Sequence, residues 1–326
     1  MRESHAHRWG LAALSLIWIA TTTPAHASEG ARDFDIQWSV EVKDVPPQSK
    51  EAKVWIAIPQ ELPVQQVQDL KVHSDYTWKM VEDPDFHNRV IEVTVPQPPA
   101  NFSIDLSAKV HRLPVTGPIP AKLSDEEKRL YLREEALVSL SPRMRAIADS
   151  LPDQHRARYD YVLDLMTYDK VTPGWGMGDS ERACDVRKGN CTDFHSLFMS
   201  ISRARNVPTF FEMGYPTTPQ GEIKKVGGYH CWAWFYDEKA SGWVPVDISE
   251  ADKFPEKAEF FFGNLDADRI TFSRGRDVKL PGMQGGPLNY LPSGGYVEVD
   301  GKPLESVSRS LTYSVDGVAP EPAGGE

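Results

Sequence analysis

The turn at Gly189 and Asn190 constrains the fold of this chain more than any other stretch of its sequence. A Gly-Asn pair favours a turn, and apolar residues follow it at helical spacing as far as Arg205. These apolar residues are Phe194, Leu197, Phe198 and Ile201. Cys191 is therefore predicted to open a helix. The unpaired N–H groups and the positive dipole end at that position favour a thiolate, the nucleophilic form of cysteine.

Two predicted strands after this helix carry candidate partners for Cys191. Aromatic and small residues alternate over residues 228–236, which predicts a strand with His230 near its start. After a turn, a second strand at residues 243–246 leads into Asp247. Antiparallel pairing of the two strands would bring His230 and Asp247 close together. The carboxylate could then hold the imidazole in one tautomer while its other nitrogen faces the thiol, a Cys-His-Asp triad in chain order.

Three motifs in this order resemble those of the transglutaminase-like cysteine enzyme superfamily. They are a G-x-C that opens a helix, an H-x-W strand and a W-x-x-x-D strand, here Gly189-Asn190-Cys191, His230-Cys231-Trp232 and Trp243-Val244-Pro245-Val246-Asp247. The segment 203–208 also resembles the helix exit of that family, with Asn206 where glycine is usual. Asparagine tolerates the left-handed conformation of a helix C-cap. The resemblance covers about residues 150–275 and implies an α+β fold with a transglutaminase-like (papain-like) catalytic domain.

The resemblance implies acyl transfer through a thioester, in which Cys191 attacks, His230 moves the proton and Asp247 orients His230. Water as acceptor gives a cysteine peptidase or amidase, and this alternative is slightly favoured because extracytoplasmic members of the family include many hydrolases. An amine as acceptor gives a protein cross-linking transglutaminase. A non-enzymatic exported binding or scaffold protein on the same fold is the third alternative. No cofactor is implied, and the expected substrate is a protein or peptide, with cell-wall peptides among the candidates.

Each of these residues also has a purely structural interpretation. Cys191 could be a small core hydrophobe, His230 a buried histidine with satisfied hydrogen bonds, and Asp247 a turn or helix cap. His195 could join Cys184, Cys191 and His230 in a zinc site. The spacing of these residues is not that of a known metal cluster, so no metal site is predicted.

The other two cysteines are predicted to form a disulfide with each other or to be buried thiols. Cys231 follows His230 on a strand, so its side chain is expected on the face opposite the site. A bond between Cys184 and Cys191 would instead make a redox-switched protein.

The glycine-rich segment from Tyr168 to Arg187 is predicted to be a loop that leads into Cys191. Trp175 within it is predicted to bind substrate, either by covering the thiol or by polarising a substrate carbonyl. The alternative is that Trp175 is an aromatic plug under the loop.

The N-terminus is typical of an export signal. Arg2 and Arg8 precede an apolar run at residues 10–20, and the A-x-A sequence Ala25-His26-Ala27 is a cleavage site. Residues 1–27 are therefore predicted to be a signal peptide, and the protein is predicted to be periplasmic or secreted. The apolar run is too short for a stable membrane anchor.

Charge and strand patterns predict the remaining organisation. A net charge of −11 argues against nucleic acid as a partner. Alternating strands predict an N-terminal all-β sandwich domain, and three helices are predicted after a proline-rich linker at residues 114–120. It is left open whether the last strands join the catalytic sheet or the sandwich. The predicted divisions are 28–115 for the sandwich, 116–295 for the catalytic domain, 296–318 for C-terminal strands and 319–326 for a disordered tail.

Overall fold

The computed structural model describes residues 30–218, 224–291 and 295–315. Helices and strands are mixed along the chain with strands in the majority, so the predicted α+β class is confirmed. The predicted signal peptide and the predicted tail at residues 319–326 lie outside the described residues.

Two five-stranded antiparallel sheets form a sandwich around one apolar core. Strand β1 shows the expected alternation, with every second side chain buried. The first sheet has the order β12 (Lys224–Lys225), β19 (Val307–Val315), β1 (Arg32–Val42), β6 (Phe102–Arg112) and β3 (Gln65–His73). The second has the order β18 (Lys302–Pro303), β17 (Tyr296–Val299), β2 (Glu51–Ala57), β5 (Arg89–Pro96) and β4 (Thr77–Glu82).

The C-terminal strands return to the sandwich, which decides the alternative that the sequence left open. Strand β17 pairs with β2, and β19 pairs with β1 over nine residues of each strand. The sandwich is therefore assembled from both ends of the described chain, and residues 28–115 alone contain only part of it.

The third sheet carries the candidate site and has five strands with helices packed against it. Its order is β16 (Arg269–Arg274), β11 (Thr209–Pro216), β13 (His230–Asp237), β14 (Gly242–Val246) and β8 (Ile119–Pro120). The helices are α1 (Asp125–Leu132), α2 (Pro142–Ser150), α3 (His155–Leu165), α4 (Ser180–Val186), α5 (Cys191–Arg203) and α6 (Ile248–Lys253). Every residue of α5 is buried, because the helix lies between β13 and the four helices α2, α3, α4 and α6. None of the described helices is long and apolar enough to cross a lipid bilayer.

Two local predictions need correction. The proline-rich segment at 114–120 is not a free linker, because β8 pairs with β14 and β7 (Val115–Thr116) pairs with β15 (Asn264–Leu265). The segment predicted as a loop before Cys191 contains α4, whose N-cap Asp179 follows the last glycine of the run. The strands β9 (Thr167–Tyr168) and β10 (Lys188–Gly189) pair in parallel on either side of it.

The sandwich and the third sheet share buried contacts. Phe272 of β16 belongs to the apolar core of the sandwich, and its ring lies edge-on to Trp38 with centroids 5.8 Å apart. The buried amide of Gln65 donates to the Thr271 carbonyl at 2.9 Å and accepts the Thr271 N–H at 2.8 Å. The strand that carries part of the candidate site is therefore fixed from the sandwich side.

Candidate active site

Cys191 is the first residue of α5, as the sequence predicted. The Asn190 side chain accepts the Thr192 N–H at 2.9 Å, and the Asp193 carboxylate accepts the Asn190 N–H at 2.9 Å. This capping box fixes the helix start and places Cys191 at the positive end of the helix dipole. A Cβ atom at Gly189 would overlap the Asp193 carboxylate, so the absence of a side chain there is required.

His230 and Asp247 are in direct contact. His230 begins β13, and Asp247 directly follows β14, the partner of β13. The His230 Nε2–H donates to Asp247 Oδ2 at 2.7 Å. Asp247 Oδ1 accepts the Ser249 hydroxyl at 3.2 Å and the Glu250 N–H at 3.1 Å. Asp247 is thus both the partner of His230 and the N-cap of α6.

Neighbouring groups favour the ionised form of the buried Cys191 thiol. Burial by itself would raise the pKa of Cys191, but hydrogen bonds with Cys231 and His230 and the charge of His230 lower this pKa well below its ordinary value. Burial would lower the pKa of His230, whereas Asp247 and Cys191 raise it to about 10. Because Nε2 of His230 is bound to Asp247, Nδ1 is the nitrogen left for Cys191. The arrangement favours a thiolate–imidazolium pair at neutral pH.

Cys231 lies beside Cys191, so the prediction that its side chain points away from the site is wrong. The strand alternates as expected, and Cys231, Ala233 and Phe235 share one face. That face is the one on which α5 packs, and α5 carries Cys191. Cys231 Sγ lies 3.7 Å from Thr192 Oγ1. Burial and the hydrogen bond with Cys191 raise the pKa of Cys231 well above its ordinary value, which keeps it a thiol.

All three cysteines are free and buried, in agreement with the buried-thiol alternative. Cys184 lies on α4, and its Sγ accepts a hydrogen bond from Nη2 of Arg143 at 3.2 Å. The Cys184–Cys191 disulfide considered from the sequence is not formed. The thiol that interacts with Cys191 is that of Cys231.

His195 uses both ring nitrogens within the protein. Nδ1–H donates to the Cys191 carbonyl at 2.7 Å, and Nε2 accepts the Ile248 N–H at 3.1 Å. Burial lowers the pKa of His195 to about 4, so the ring is neutral at pH 7. His195 thus ties the start of α5 to the start of α6. In the described ranges, no group of three or more His, Cys, Asp or Glu side chains is arranged to hold a metal ion.

Arg269, the first residue of β16, lies in the site, although it was not among the residues predicted to form it. Its Nη1 donates to Asp247 Oδ2 at 2.9 Å, and its Nε donates to Asp266 Oδ1 at 3.1 Å. The guanidinium lies 4.8 Å from the centre of the Trp232 ring. No local sequence pattern connects Arg269 with Asp247, so this contact was not predicted.

The glycine-rich loop is fastened to the start of α5. The Asp193 carboxylate accepts the N–H groups of Gly176 at 2.7 Å and Gly178 at 3.0 Å. This role of Asp193 was not predicted, although an acidic residue three positions after Asn190 is a capping-box signal. Trp175 is 38% exposed on this loop, with Lys170 Nζ 6.0 Å from its ring. The role of Trp175 in substrate binding stays a prediction.

The α+β fold, with a cysteine at the start of a buried helix and a His–Asp pair on the adjacent hairpin, defines a papain-like arrangement. Residues 139–248 match the family model of the transglutaminase-like superfamily, and this stretch is a transglutaminase-like domain. Cys191, His230 and Asp247 all fall within the matched range.

Known proteins add information on relatives and fold. The chain is 31% identical over 181 residues to an uncharacterised protein of Haemophilus influenzae, a match that spans 45% of this chain and 48%, about half, of that protein. A solved structure of a proposed cysteine protease from Cytophaga hutchinsonii superposes with a TM-score of 0.59 at 12% identity, covering 89% of this chain and 92% of that one. This second likeness concerns the fold alone.

Proposed function

We propose that the protein is a thiol-dependent hydrolase of peptide or carboxamide bonds, a cysteine peptidase or amidase that works through Cys191, His230 and Asp247. The transglutaminase-like fold supports a thiol-dependent enzyme in general. The observation that carries the finer proposal is the 2.7 Å hydrogen bond between His230 and Asp247, together with the effect of His230 on Cys191, whose pKa it lowers.

In the proposed reaction, Cys191 Sγ attacks the carbonyl carbon and forms a tetrahedral intermediate. Protonated His230 gives its proton to the leaving nitrogen as the C–N bond breaks, which leaves a thioester. Water then attacks the thioester while His230 takes one of its protons. Release of the carboxylic acid restores the Cys191 thiolate and the His230 imidazolium, and Asp247 holds the ring in place throughout.

The backbone N–H of Cys191 is the proposed donor to the oxyanion. It lies in the first turn of α5, where backbone N–H groups have no acceptor within the helix. The next N–H, that of Thr192, is already bound by the Asn190 side chain. A fixed donor at the helix start stabilises the charge that develops on the carbonyl oxygen.

The proposed substrate is a protein or peptide, including cell-wall peptides, and the proposed location is the periplasm or the exterior. These proposals follow from the acyl chemistry and from the signal-like residues at the N-terminus. Nucleic acid is not a proposed partner, because the chain carries a net charge of −11.

Thiol labelling tests the proposed site without knowledge of the substrate. Iodoacetamide at pH 7, followed by peptide mass spectrometry, should modify Cys191 much faster than Cys184, and His230→Ala should remove the difference. Cys184→Ala is the matched control and should leave labelling of Cys191 unchanged. Slow labelling of Cys191 in the wild type, equal to that in His230→Ala, would contradict an activated nucleophile and favour a scaffold protein.

A substrate screen tests the reaction class. Casein, glutamine peptides and peptidoglycan stem peptides should be hydrolysed without added amine, and Cys191→Ala should lower the rate at least about a thousandfold while the protein stays folded. Product formed only in the presence of an amine would replace the hydrolase proposal with a transglutaminase. An undiminished rate in Cys191→Ala would exclude Cys191 as the nucleophile.

A further inference from the structure

We propose that Arg269 and Asp266 are positioning residues that extend the site into a line of alternating charges, which holds Asp247 in place and sets the pH range in which the site is charged. This inference rests on the proposed function. In order, the line consists of the Cys191 thiolate, the His230 imidazolium, the Asp247 carboxylate, the Arg269 guanidinium and the Asp266 carboxylate.

The contacts along this line are direct and involve specific atoms. Asp247 Oδ2 accepts His230 Nε2–H at 2.7 Å and Arg269 Nη1–H at 2.9 Å, so one oxygen serves both cations. Arg269 Nε–H donates to Asp266 Oδ1 at 3.1 Å. Arg269 is only 2% exposed, and a charge buried to that degree is stable only when it is paired. Arg269 therefore has a fixed position relative to His230.

Trp232 on β13 supports the same geometry. Its ring centre is 4.8 Å from the Arg269 guanidinium and 5.8 Å from the His230 ring. Its indole N–H donates to Glu212 Oε2 at 2.6 Å, which fixes the ring plane. The two cations that bind Asp247 thus lie against one immobilised aromatic side chain, and stacking on an aromatic face is a geometry that guanidinium favours.

The physical effect of Arg269 is to share the charge of Asp247. A carboxylate that faced His230 alone would hold the imidazolium proton more strongly and make His230 a weaker acid towards the leaving group. A second cation on the same oxygen weakens that hold and also favours the Cys191 thiolate. Asp266, by neutralising part of the Arg269 charge, has the opposite effect. The pKa of Asp247 lies well below its ordinary value; burial opposes this shift, and His230 and Arg269 cause it.

Other charged or titratable groups face this line from every packed element. His195 Nε2 on α5 is 4.0 Å from Asp247 Oδ1, and Glu250 Oε1 on α6 is 3.9 Å from His230 Nε2. Further described groups in electrostatic contact with the line are Lys253 on α6, Tyr159 on α3, Tyr168 on β9, Arg112 on β6, Cys231 on β13, Tyr229 just before it and Tyr290 before β17. Among the described groups that face Asp247, Arg269 is the one cation besides His230 that donates a hydrogen bond to its carboxylate.

The test is the pH dependence of Cys191 alkylation by iodoacetamide in the full-length protein, with the modified residue identified by mass spectrometry. The rate changes at two pH values, where the thiolate forms and where His230 loses its proton. Arg269→Met removes a positive charge, so both should move to higher pH, by roughly 0.5–1 pH unit. Asp266→Asn removes a negative charge, so both should move to lower pH by a smaller amount, because Asp266 is one-third exposed.

Two further variants separate charge from structure. Arg269→Lys keeps the charge and loses the forked contact, so the two pH values should stay close to wild type while peptidase turnover falls. Arg274→Met removes an arginine on the same strand that pairs with Glu212 at 2.8 Å and does not touch Asp247. It should lower stability without moving either pH value.

The outcomes distinguish this inference from the function on which it rests. Fast, selective alkylation of wild-type Cys191 with unshifted profiles in both Arg269→Met and Asp266→Asn would overturn the inference and leave the proposed function standing. If Arg269→Met does not fold, the downward shift in Asp266→Asn decides alone. A wild-type Cys191 that is no more reactive than in His230→Ala would overturn both proposals.

Discussion

At the scale of single residues, Cys231 is a second thiol that touches the candidate nucleophile. Burial would raise the pKa of Cys191, and the interaction with the Cys231 thiol is among the causes that lower it. Its own raised pKa keeps it protonated and able to donate. The site therefore contains two thiols in contact, one favoured as an anion and the other as a donor.

Removing this donor should make Cys191 harder to ionise. We expect Cys231→Ala to raise the apparent pKa of Cys191, so that its alkylation at pH 6 slows while alkylation at high pH is unchanged. Cys231→Ser retains a donor and should lie between wild type and Cys231→Ala. A pH profile of Cys191 alkylation checks this, and coincident profiles for all three proteins would show that Cys231 only fills space.

His195 contributes a dependence of stability on acid. Burial lowers its folded pKa to about 4, below the unfolded value of about 6.5, so the unfolded state binds more protons between these values. Stability should therefore fall as pH decreases from about 6.5 to 4, by about 2–3 kcal/mol from this residue. Urea unfolding at pH 7 and pH 4.5 measures the change.

The comparison variant for His195 is His195→Gln, which should show a smaller loss of stability over the same pH interval. His87→Gln removes an exposed histidine instead. Between pH 7 and pH 4.5, its free energy of unfolding should fall by the same amount as that of the wild type. Equal losses in His195→Gln and wild type would mean that the buried ring does not cause the acid sensitivity.

At the scale of elements, the start of α5 and the glycine-rich loop depend on one carboxylate. Asp193 accepts the backbone N–H groups of Asn190, Gly176 and Gly178, all of which are buried contacts. Loss of the acceptor would leave these donors without a partner, and a buried unsatisfied donor costs about 1–3 kcal/mol. The element that presents Cys191 and the loop that presents Trp175 should therefore loosen together.

Asp193→Ala should lower the free energy of unfolding by at least about 2–4 kcal/mol and make the loop more sensitive to proteolysis. Glu127→Ala is the matched control, because Glu127 closes the same type of capping box at the exposed start of α1. It should cost no more than about 1 kcal/mol. Urea denaturation and limited trypsin digestion give the two measurements, and equal costs for both variants would contradict a special role for Asp193.

At the scale of the whole molecule, the sandwich and the third sheet share buried side chains and should unfold together. Trp38 on β1 packs against Phe272 on β16, and both residues belong to one apolar core. Calorimetry should show one cooperative transition for the described parts. Trp38→Ala should shift this whole transition downward, at a cost of about 3–5 kcal/mol, whereas Trp78→Ala on the exposed face of β4 should have little effect. Two separate transitions, with only one moved by Trp38→Ala, would mean that the parts fold independently.

Local features of the site could be predicted because they are encoded within a few residues. Helical spacing and the Gly-Asn turn located the start of α5, and alternation located the β13–β14 hairpin that joins His230 to Asp247. Asn206 has a φ of 57°, the left-handed conformation expected where the family has glycine. Periodicity, caps and turns depend on neighbouring residues, so a sequence is sufficient to recognise them.

The order and local structure of Cys191, His230 and Asp247 follow from the amino-acid sequence alone. Tertiary structure alone decided that Cys231 faces Cys191, that Arg269 binds Asp247 and that the last strands complete the sandwich. Alternation predicted that His230 and Cys231 point to opposite faces, but it did not predict which face α5 would cover. These features depend on packing between segments far apart in the chain, where the choice of face and partner is made by burial of the whole molecule rather than by any local pattern.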